Sequence, residues 1–273
     1  MKKACVIGWP IAHSRSPLIH NFWLRQYEID GSYERLPVPP ENLSGFLRDL
    51  KVNGYMGCNV TIPHKEKAVS AMDEVDDVVR QTGALNTVYF QAGKTCATST
   101  DGEGFIQNLL SHIPGFFFKE KHITILGAGG SAKAITASLL HHNVKSITIV
   151  NRTQKRAEEM RDIFGEKIKS GPLMSNCDVL INTTPLGMTG QPNLTIDLSV
   201  LSENAIVADI VYVPLQTHFL KNAQERGLRT VPGLGMLLHQ AVRGFELWFD
   251  IRPVVTPELY RKVARDIDPE YQS

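Results

Sequence analysis

The segment Ile123-Thr124-Ile125-Leu126-Gly127-Ala128-Gly129-Gly130-Ser131-Ala132-Lys133-Ala134 constrains this chain more than any other. An apolar run of strand length ends at a glycine, and small residues then lead into a helix-compatible sequence. Gly127 suits the tight turn, and Gly129 lets backbone approach a pyrophosphate. The helix that follows offers unpaired N–H groups and the positive end of its dipole. Ala132 holds the place of the third glycine of the usual GxGxxG. Gly127, Ala128, Gly129, Gly130 and Ser131 are therefore expected to form a dinucleotide phosphate site; a glycine turn without a ligand is the plain alternative.

The next expected strand, Ser146 to Val150, ends at Asn151-Arg152-Thr153, with Arg156 one turn into the helix after it. Sites for NAD carry an acidic residue here for the ribose 2′-hydroxyl. A carboxylate would repel a 2′-phosphate, whereas two guanidiniums clamp one. The cofactor expected is therefore NADP, with Asn151, Arg152, Thr153 and Arg156 at its 2′-phosphate end. A salt bridge to Glu159 is the other use for Arg156.

Around this unit, strand-like and helix-like runs alternate along the chain, implying an α/β fold with a mostly parallel sheet in the first part. The 273 residues suffice for one large domain or two small ones. With 29 basic and 28 acidic residues the charge is nearly balanced, which argues against a nucleic-acid or anionic-membrane binder. The longest apolar runs, such as Ile206 to Ile210, are too short to span a bilayer. A first strand follows Met1-Lys2-Lys3 directly, so no signal peptide is expected. Cys5, Cys58, Cys96 and Cys177 lack CxxC spacing and are expected to be reduced in a cytoplasmic protein. The nine histidines show no ligand cluster, and no metal is expected.

In the stretch Asn59-Val60-Thr61-Ile62-Pro63-His64-Lys65, Val60 and Ile62 alternate with polar residues in strand period. Pro63 ends the strand because it has no N–H for the ladder. The run Lys65 to Val78 reads as the next helix, and Asp73, Glu74, Asp76 and Asp77 read as its solvated face. Lys65 then stands at a strand-to-helix corner, where α/β proteins place chemistry. A surface lysine on a first helical turn is the bland reading. Earlier, Ser16 before Pro17 reads as a helix N-cap.

Several motifs together resemble the shikimate dehydrogenase family: GWPIAHSRSPLIHN, GCNVTIPHKE, GALNT, STDGEGF, LGAGGSAKA, NRTQKR, INTTPLGM, ADIVYVPLQT and GLGMLLHQA, in the family's order and spacing over nearly the whole length. The resemblance implies NADPH-dependent reduction of 3-dehydroshikimate to shikimate. It implies Lys65 and Asp101 as the catalytic pair, Lys65 being a positioned cation and proton donor in the reduction direction. It implies Ser14 and Ser16 on the substrate carboxylate, Tyr212 near it, and Thr61, Asn86 and Gln240 as further polar contacts. It also implies Ile210 at the cofactor, and Gly233, Leu234 and Met236 over the nicotinamide. Packing is the alternative for Tyr212 and for the Gly233–Met236 segment. The family often has asparagine where this chain has Ser99, which bears only on a supporting hydrogen bond. His64, where an apolar residue is common, reads as a neutral helix-start residue that could instead influence Lys65.

The resemblance implies two α/β domains facing a cleft that holds the substrate: residues 1–101 with 239–273 for substrate and catalysis, and residues 102–238 as a Rossmann-like NADP domain. The working protein is expected to be a monomer or homodimer. Rivals are a quinate/shikimate dehydrogenase using NAD, a catalytically silent dinucleotide sensor, and a folate-type enzyme of similar architecture. Ser16, the arginine pair and the intact Lys65 and Asp101 lean against them.

Overall fold

The computed structural model describes residues 1–272. The chain divides into two compact units, Met1–Thr100 with Leu238–Val263, and Asp101–Leu237 with the chain from Ala264. The segment from Ala264 was expected with the first unit. The division places it with the second unit and falls inside one continuous helix, Pro257–Ile267.

In the first unit, β1 (Lys2–Gly8), α1 (Ser16–Gln26), β2 (Gly31–Pro37), α2 (Leu43–Asp49) and β3 (Tyr55–Val60) alternate as the apolar pattern predicts. Then come β4 (Glu74–Val75), α3 (Asp77–Thr82) and the hairpin β5 (Thr87–Gln91) and β6 (Lys94–Thr98). The sheet order is β2-β1-β3-β5-β6-β4. β1 is parallel to β2 and β3, whereas β5 is antiparallel to both β3 and β6. Ala92 and Gly93, both at positive φ, make the hairpin turn.

One face of this sheet packs Cys5, Ile7, Cys58, Val60 and Val88 against Leu43, Leu47, Leu50 and Ala68. On β3, Gly57 is required: a Cβ there would lie 2.1 Å from the Val88 carbonyl oxygen and 2.2 Å from Trp248 Nε1. Trp248 donates from that nitrogen to the same carbonyl, so indole and backbone meet where only glycine fits.

The helix expected from Lys65 to Val78 does not form. Lys65 lies in a turn, Lys67–Ala71 is a single 3₁₀ stretch, and the rest is β4 and the start of α3. The acidic residues show why: Asp73 and Glu74 are held by β6 some twenty positions away, and Asp76 instead starts the separate short helix α3, which contains Asp77. Asp73 accepts from the Thr95 N–H at 2.7 Å, and Glu74 pairs with Lys94 beside the β4–β6 ladder. Asp76 caps α3 by accepting from Val79 N–H at 2.9 Å, and Asp77 pairs with Arg80. They are not one solvated helix face.

The second unit contains α4 (Asp101–His112), β7 (His122–Leu126), α5 (Gly130–His141), β8 (Ser146–Val150), α6 (Gln154–Phe164) and β9 (Ile168–Ser170). It continues with β10 (Val179–Asn182), β11 (Ile206–Asp209), α7 (His218–Glu225) and β12 (Arg229–Val231). The short β9 escapes the sequence reading, since three residues carry too little periodicity. All pairings in this sheet are parallel, in the order β12-β11-β10-β7-β8-β9. Counted from the other edge this is 3-2-1-4-5-6, the doubly wound dinucleotide-binding order, whose direction reverses between β7 and β10. The helices α8 (Leu234–Phe249) and α9 (Pro257–Ile267) end the chain.

Candidate active site

Strand direction gathers the candidate residues of the first unit at one end of the sheet's interior strands. β1 and β3 run parallel, so the loop with Ser14 and Ser16 and the turn with Thr61 and Lys65 leave from the same end. Because β5 is antiparallel to β3, Asn86 just before it returns to that end, and the Asn86 carbonyl accepts from Val60 N–H at 2.8 Å.

The turn with Lys65 is tied down on both sides. Thr61 N–H donates to Ile7 O at 3.0 Å, His64 N–H to Thr61 O at 2.9 Å, and Leu85 N–H to Lys65 O at 3.0 Å. His64 is fully buried and its Nε2 donates to the Val38 carbonyl at 2.7 Å. It anchors the turn and starts no helix. Gly8 faces Thr61 so closely that a Cβ would lie 2.6 Å from Thr61 Cγ2.

Ser14 and Ser16 come together, with their hydroxyl oxygens 3.3 Å apart and Ser16 N–H on Ser14 Oγ at 3.3 Å. Ser16 is not the N-cap of α1. Arg15 holds that place without a side-chain bond, and Ser16 is the first helical residue. Its hydroxyl is therefore not consumed by capping.

Asn86 is buried in a network the sequence reading missed. The Tyr33 hydroxyl donates to Asn59 Oδ1 at 2.6 Å, and Asn59 Nδ2 donates to Asn86 O at 3.1 Å and Thr87 Oγ1 at 3.2 Å. Thr87 donates to Asn86 Oδ1 at 2.9 Å, which also accepts from Thr100 N–H at 2.9 Å. Asn86 Nδ2 stands 3.0 Å from Thr100 Oγ1 and 3.4 Å from Gln240 Oε1. The available signal was Asn59 itself, a polar residue in an otherwise apolar strand. Beneath Tyr33, the His20 ring stacks at 4.1 Å between centroids, and neither of its nitrogens has a hydrogen-bond partner among the described residues. Burial pushes its pKa down to about 3, so it is neutral. Burial also raises the Tyr33 phenol well above its ordinary value, keeping its proton.

In the second unit Gly127 has φ +106°, and a Cβ on it would lie 2.8 Å from Thr183 Oγ1. It thus sits where strand order reverses between β7 and β10, and Thr183 is held there by donating to Leu126 O at 2.7 Å. A Cβ on Gly129 or Gly130 would meet open space. Gly129 caps α5 without a side-chain bond, and Ala128 and Ser131 are half-buried beside it. The close helix packing often served by the third glycine falls to Gly102, where a Cβ would lie 2.2 Å from Ala134 O.

Asn151, Arg152 and Thr153 follow β8, and Asn151 Nδ2 donates to Thr153 O at 2.8 Å. Arg152 and Arg156 are exposed and have no ion pair among the described residues, so the Glu159 bridge does not form. The first turn of α6 carries no acidic residue. This end of the strand is cationic and uncapped, which fits a phosphate.

Ile210 and Tyr212 leave β11 on a loop anchored by Asp209, whose buried carboxylate accepts from Asn182 Nδ2 at 2.9 Å, Val211 N–H at 3.0 Å and the Thr217 hydroxyl at 2.7 Å. Burial raises the Asp209 pKa. Gly233 approaches so closely that a Cβ would lie 2.5 Å from Ile210 O, and the buried Met236 N–H donates to Gly233 O at 3.0 Å. Asp101 begins α4, directly after the Thr100 that Asn86 holds.

Comparison with known proteins gives a consistent result. Residues 6–88 match the family model of the shikimate dehydrogenase substrate binding domain, residues 110–186 that of shikimate / quinate 5-dehydrogenase, and residues 233–255 the shikimate 5′-dehydrogenase C-terminal domain. Shikimate dehydrogenase (NADP(+)) of Rhodopseudomonas palustris strain TIE-1 is 50% identical, with 98% of each chain covered. A crystal structure of shikimate 5-dehydrogenase from Thermus thermophilus with NADP(H) and shikimate superposes with a TM-score of 0.87 at 32% identity, over 98% of this chain and 100% of that one. Quinate dehydrogenase from Corynebacterium glutamicum in complex with NAD superposes with the same TM-score at 28% identity, over 96% of this chain and 98% of that one.

Proposed function

The chain belongs to the shikimate dehydrogenase family, and from that premise we propose that it reduces 3-dehydroshikimate reversibly to shikimate with NADPH, in aromatic amino acid biosynthesis, using Lys65 and Asp101 as its acid–base pair. It is an oxidoreductase acting on a CH–OH group, with NADP as cofactor. The observation that carries the reading is the 50% identity, over 98% of the chain, to an NADP-dependent shikimate dehydrogenase.

NADPH supplies the hydride when bound. The chain's own part is to hold both molecules, exclude water, and provide charge and a proton at the oxygen that becomes the alcohol. The Lys65 ammonium stabilises that oxygen as it gains charge and donates the proton. Asp101 orients Lys65. Ser14 and Ser16 hold the substrate carboxylate, with Tyr212 near it. Thr61, Asn86 and Gln240 bind further oxygens. Gly127, whose N–H is committed to Val150 O at 2.9 Å, makes the turn, and backbone N–H groups from Ala128, Gly129, Gly130 and Ser131, with the α5 dipole, hold the pyrophosphate. Arg152 and Arg156, with Asn151 and Thr153, hold the 2′-phosphate. Ile210, Gly233 and Met236 give the nicotinamide apolar cover.

The chain works as a monomer or homodimer in the cytoplasm, with its four buried, unpaired cysteines reduced; sedimentation decides the assembly state. One steady-state panel tests the activity: shikimate and quinate, each with NADP and with NAD. Shikimate with NADP is expected to turn over best. Faster turnover of quinate with NAD would overturn the reading, and NADP binding without turnover would make the chain a sensor.

A further inference from the structure

We infer that Thr87 is a positioning residue for substrate recognition, its hydroxyl acting together with the Thr100 N–H to set which edge of the Asn86 amide meets a substrate oxygen. The inference rests on the proposed role of Asn86 as a substrate contact and adds what gives that contact its polarity.

Thr87 is fully buried, so it acts only through its neighbours. An asparagine amide looks alike from both edges, but one offers an acceptor and the other two donors. Hydrogen-bond direction selects the edge, and here the backbone groups of Asn86 and Thr100 fix it. The Asn86 backbone carbonyl can only accept, and it stands 3.1 Å from Asn59 Nδ2, which puts Asn59 Oδ1 on the other edge, where it takes the Tyr33 phenol proton at 2.6 Å. Asn59 Nδ2 donates to Thr87 Oγ1 at 3.2 Å. A hydroxyl has one proton. With Oγ1 accepting from Asn59, that proton goes to the Asn86 oxygen at 2.9 Å. The Thr100 N–H, which can only donate, reaches the same oxygen at 2.9 Å. Turning the Asn86 amide over would set its N–H groups against both donors in a buried site, leaving them unpaired. Asn86 therefore keeps Oδ1 inward and carries its NH₂ on the side of Thr100 Oγ1 and Gln240 Oε1. Both protons of that NH₂ have acceptors, so a ligand oxygen that accepts takes the place of the longer contact to Gln240 Oε1.

Tyr33 is itself located by the neutral His20 ring stacked on it, and Asn21 Oδ1 takes the Tyr33 N–H at 3.1 Å. The relay therefore starts from a phenol held in both ring and backbone.

The test is steady-state kinetics of the full chain with shikimate and NADP, with thermal melting alongside. Thr87→Val keeps the shape and removes both hydroxyl bonds. It is expected to raise KM for shikimate about tenfold, the loss of one oriented hydrogen bond, with kcat and KM for NADP within about twofold. Thr87→Ser, which keeps the hydroxyl, is expected to restore KM. A purely structural Thr87 would instead move Tm, kcat and both KM values together, and that result overturns the inference. Asn86→Ala separates the two readings. If it leaves the shikimate KM unchanged, Asn86 is no substrate contact. If it raises KM while Thr87→Val does not, the contact stands and the positioning role is wrong. Should Thr87→Val fail to fold, Thr87→Ala, which also removes the hydroxyl, is set against Thr87→Ser and decides: a raised shikimate KM in the alanine variant alone supports the inference, and an unchanged one overturns it.

Discussion

The two candidate binding regions are built on opposite physical plans. At the strand ends of the first unit the polar groups are buried, crowded and already hydrogen-bonded to one another, as in the run from Tyr33 through Asn59 and Thr87 to Asn86 and Thr100. At the glycine turn of the second unit, a Cβ on Gly129 or Gly130 would meet nothing, and the helix N-terminus beside them has no side-chain cap. The difference follows from the ligands each plan suits. A small hydroxylated acid is told apart by the donor and acceptor pattern of its edges, so side chains must be oriented beforehand. A pyrophosphate is a diffuse anion, which backbone N–H groups and a dipole hold once side chains are absent.

Removing the charge at the first region should have the largest effect. Lys65→Met is expected to lower turnover by about 10²–10⁴-fold, the usual worth of a positioned proton donor. NADPH affinity, measured by fluorescence titration, should change little. Near-normal turnover would remove Lys65 from the chemistry and with it the distinction between the two regions.

Acid stability probes the packing under the oriented network. His20 has its folded pKa pushed down to about 3 by burial. Between that value and the ordinary ~6.5, the unfolded chain binds a proton that the folded chain does not. Stability from this site is therefore complete above about pH 6.5 and falls as pH drops through the window, by up to a few kcal/mol. Denaturant melts of His20→Phe should show a shallower loss of stability between pH 6.5 and 4 than the parent. An identical slope would mean that the ring titrates freely and leaves Tyr33 unsupported.

The open region is sharpened by its cations. Arg152→Ala with Arg156→Ala is expected to raise KM for NADP by about 10–100-fold, as one to two charge-assisted hydrogen bonds are lost. KM for NAD should be nearly unchanged, and KM for shikimate with it. Equal losses with both cofactors would place the arginines on the pyrophosphate rather than the 2′-phosphate. The smallest effect belongs outside both regions. Asp76→Ala removes the α3 cap and should cost about 1 kcal/mol in stability, read as a lower Tm with kinetic constants intact. Altered shikimate kinetics would show that β4 and α3 feed into the site.

Much of this was legible in sequence because it depends on short-range patterns. The strand, glycine turn and helix around Gly127 follow from adjacent residues, and so does the absence of an acidic residue after β8. Misreadings came where distant backbone overrode local preference. Lys65 to Val78 has helical composition, yet Asp73 and the β4 residues are held by β6, a partner some twenty positions away. Ser16 looked like a cap because Ser before Pro commonly is one, but the helix begins a residue earlier. His64, adjacent to Lys65 in sequence, commits its ring to the Val38 carbonyl.

What the sequence determined alone is the family, through motifs spread over nearly the whole length, and the strand–glycine turn–helix at Gly127 and the sign of charge expected at the nucleotide's 2′ end, each of which rests on residues within a few positions of one another. What only the tertiary structure decided is orientation. The order of strands, including the antiparallel return of β5, sets Asn59, Thr87, Asn86 and Thr100 within hydrogen-bonding reach although they span 42 residues. Hydrogen-bond direction is a property of groups in contact, and no composition or spacing along a chain encodes which edge of an amide faces out.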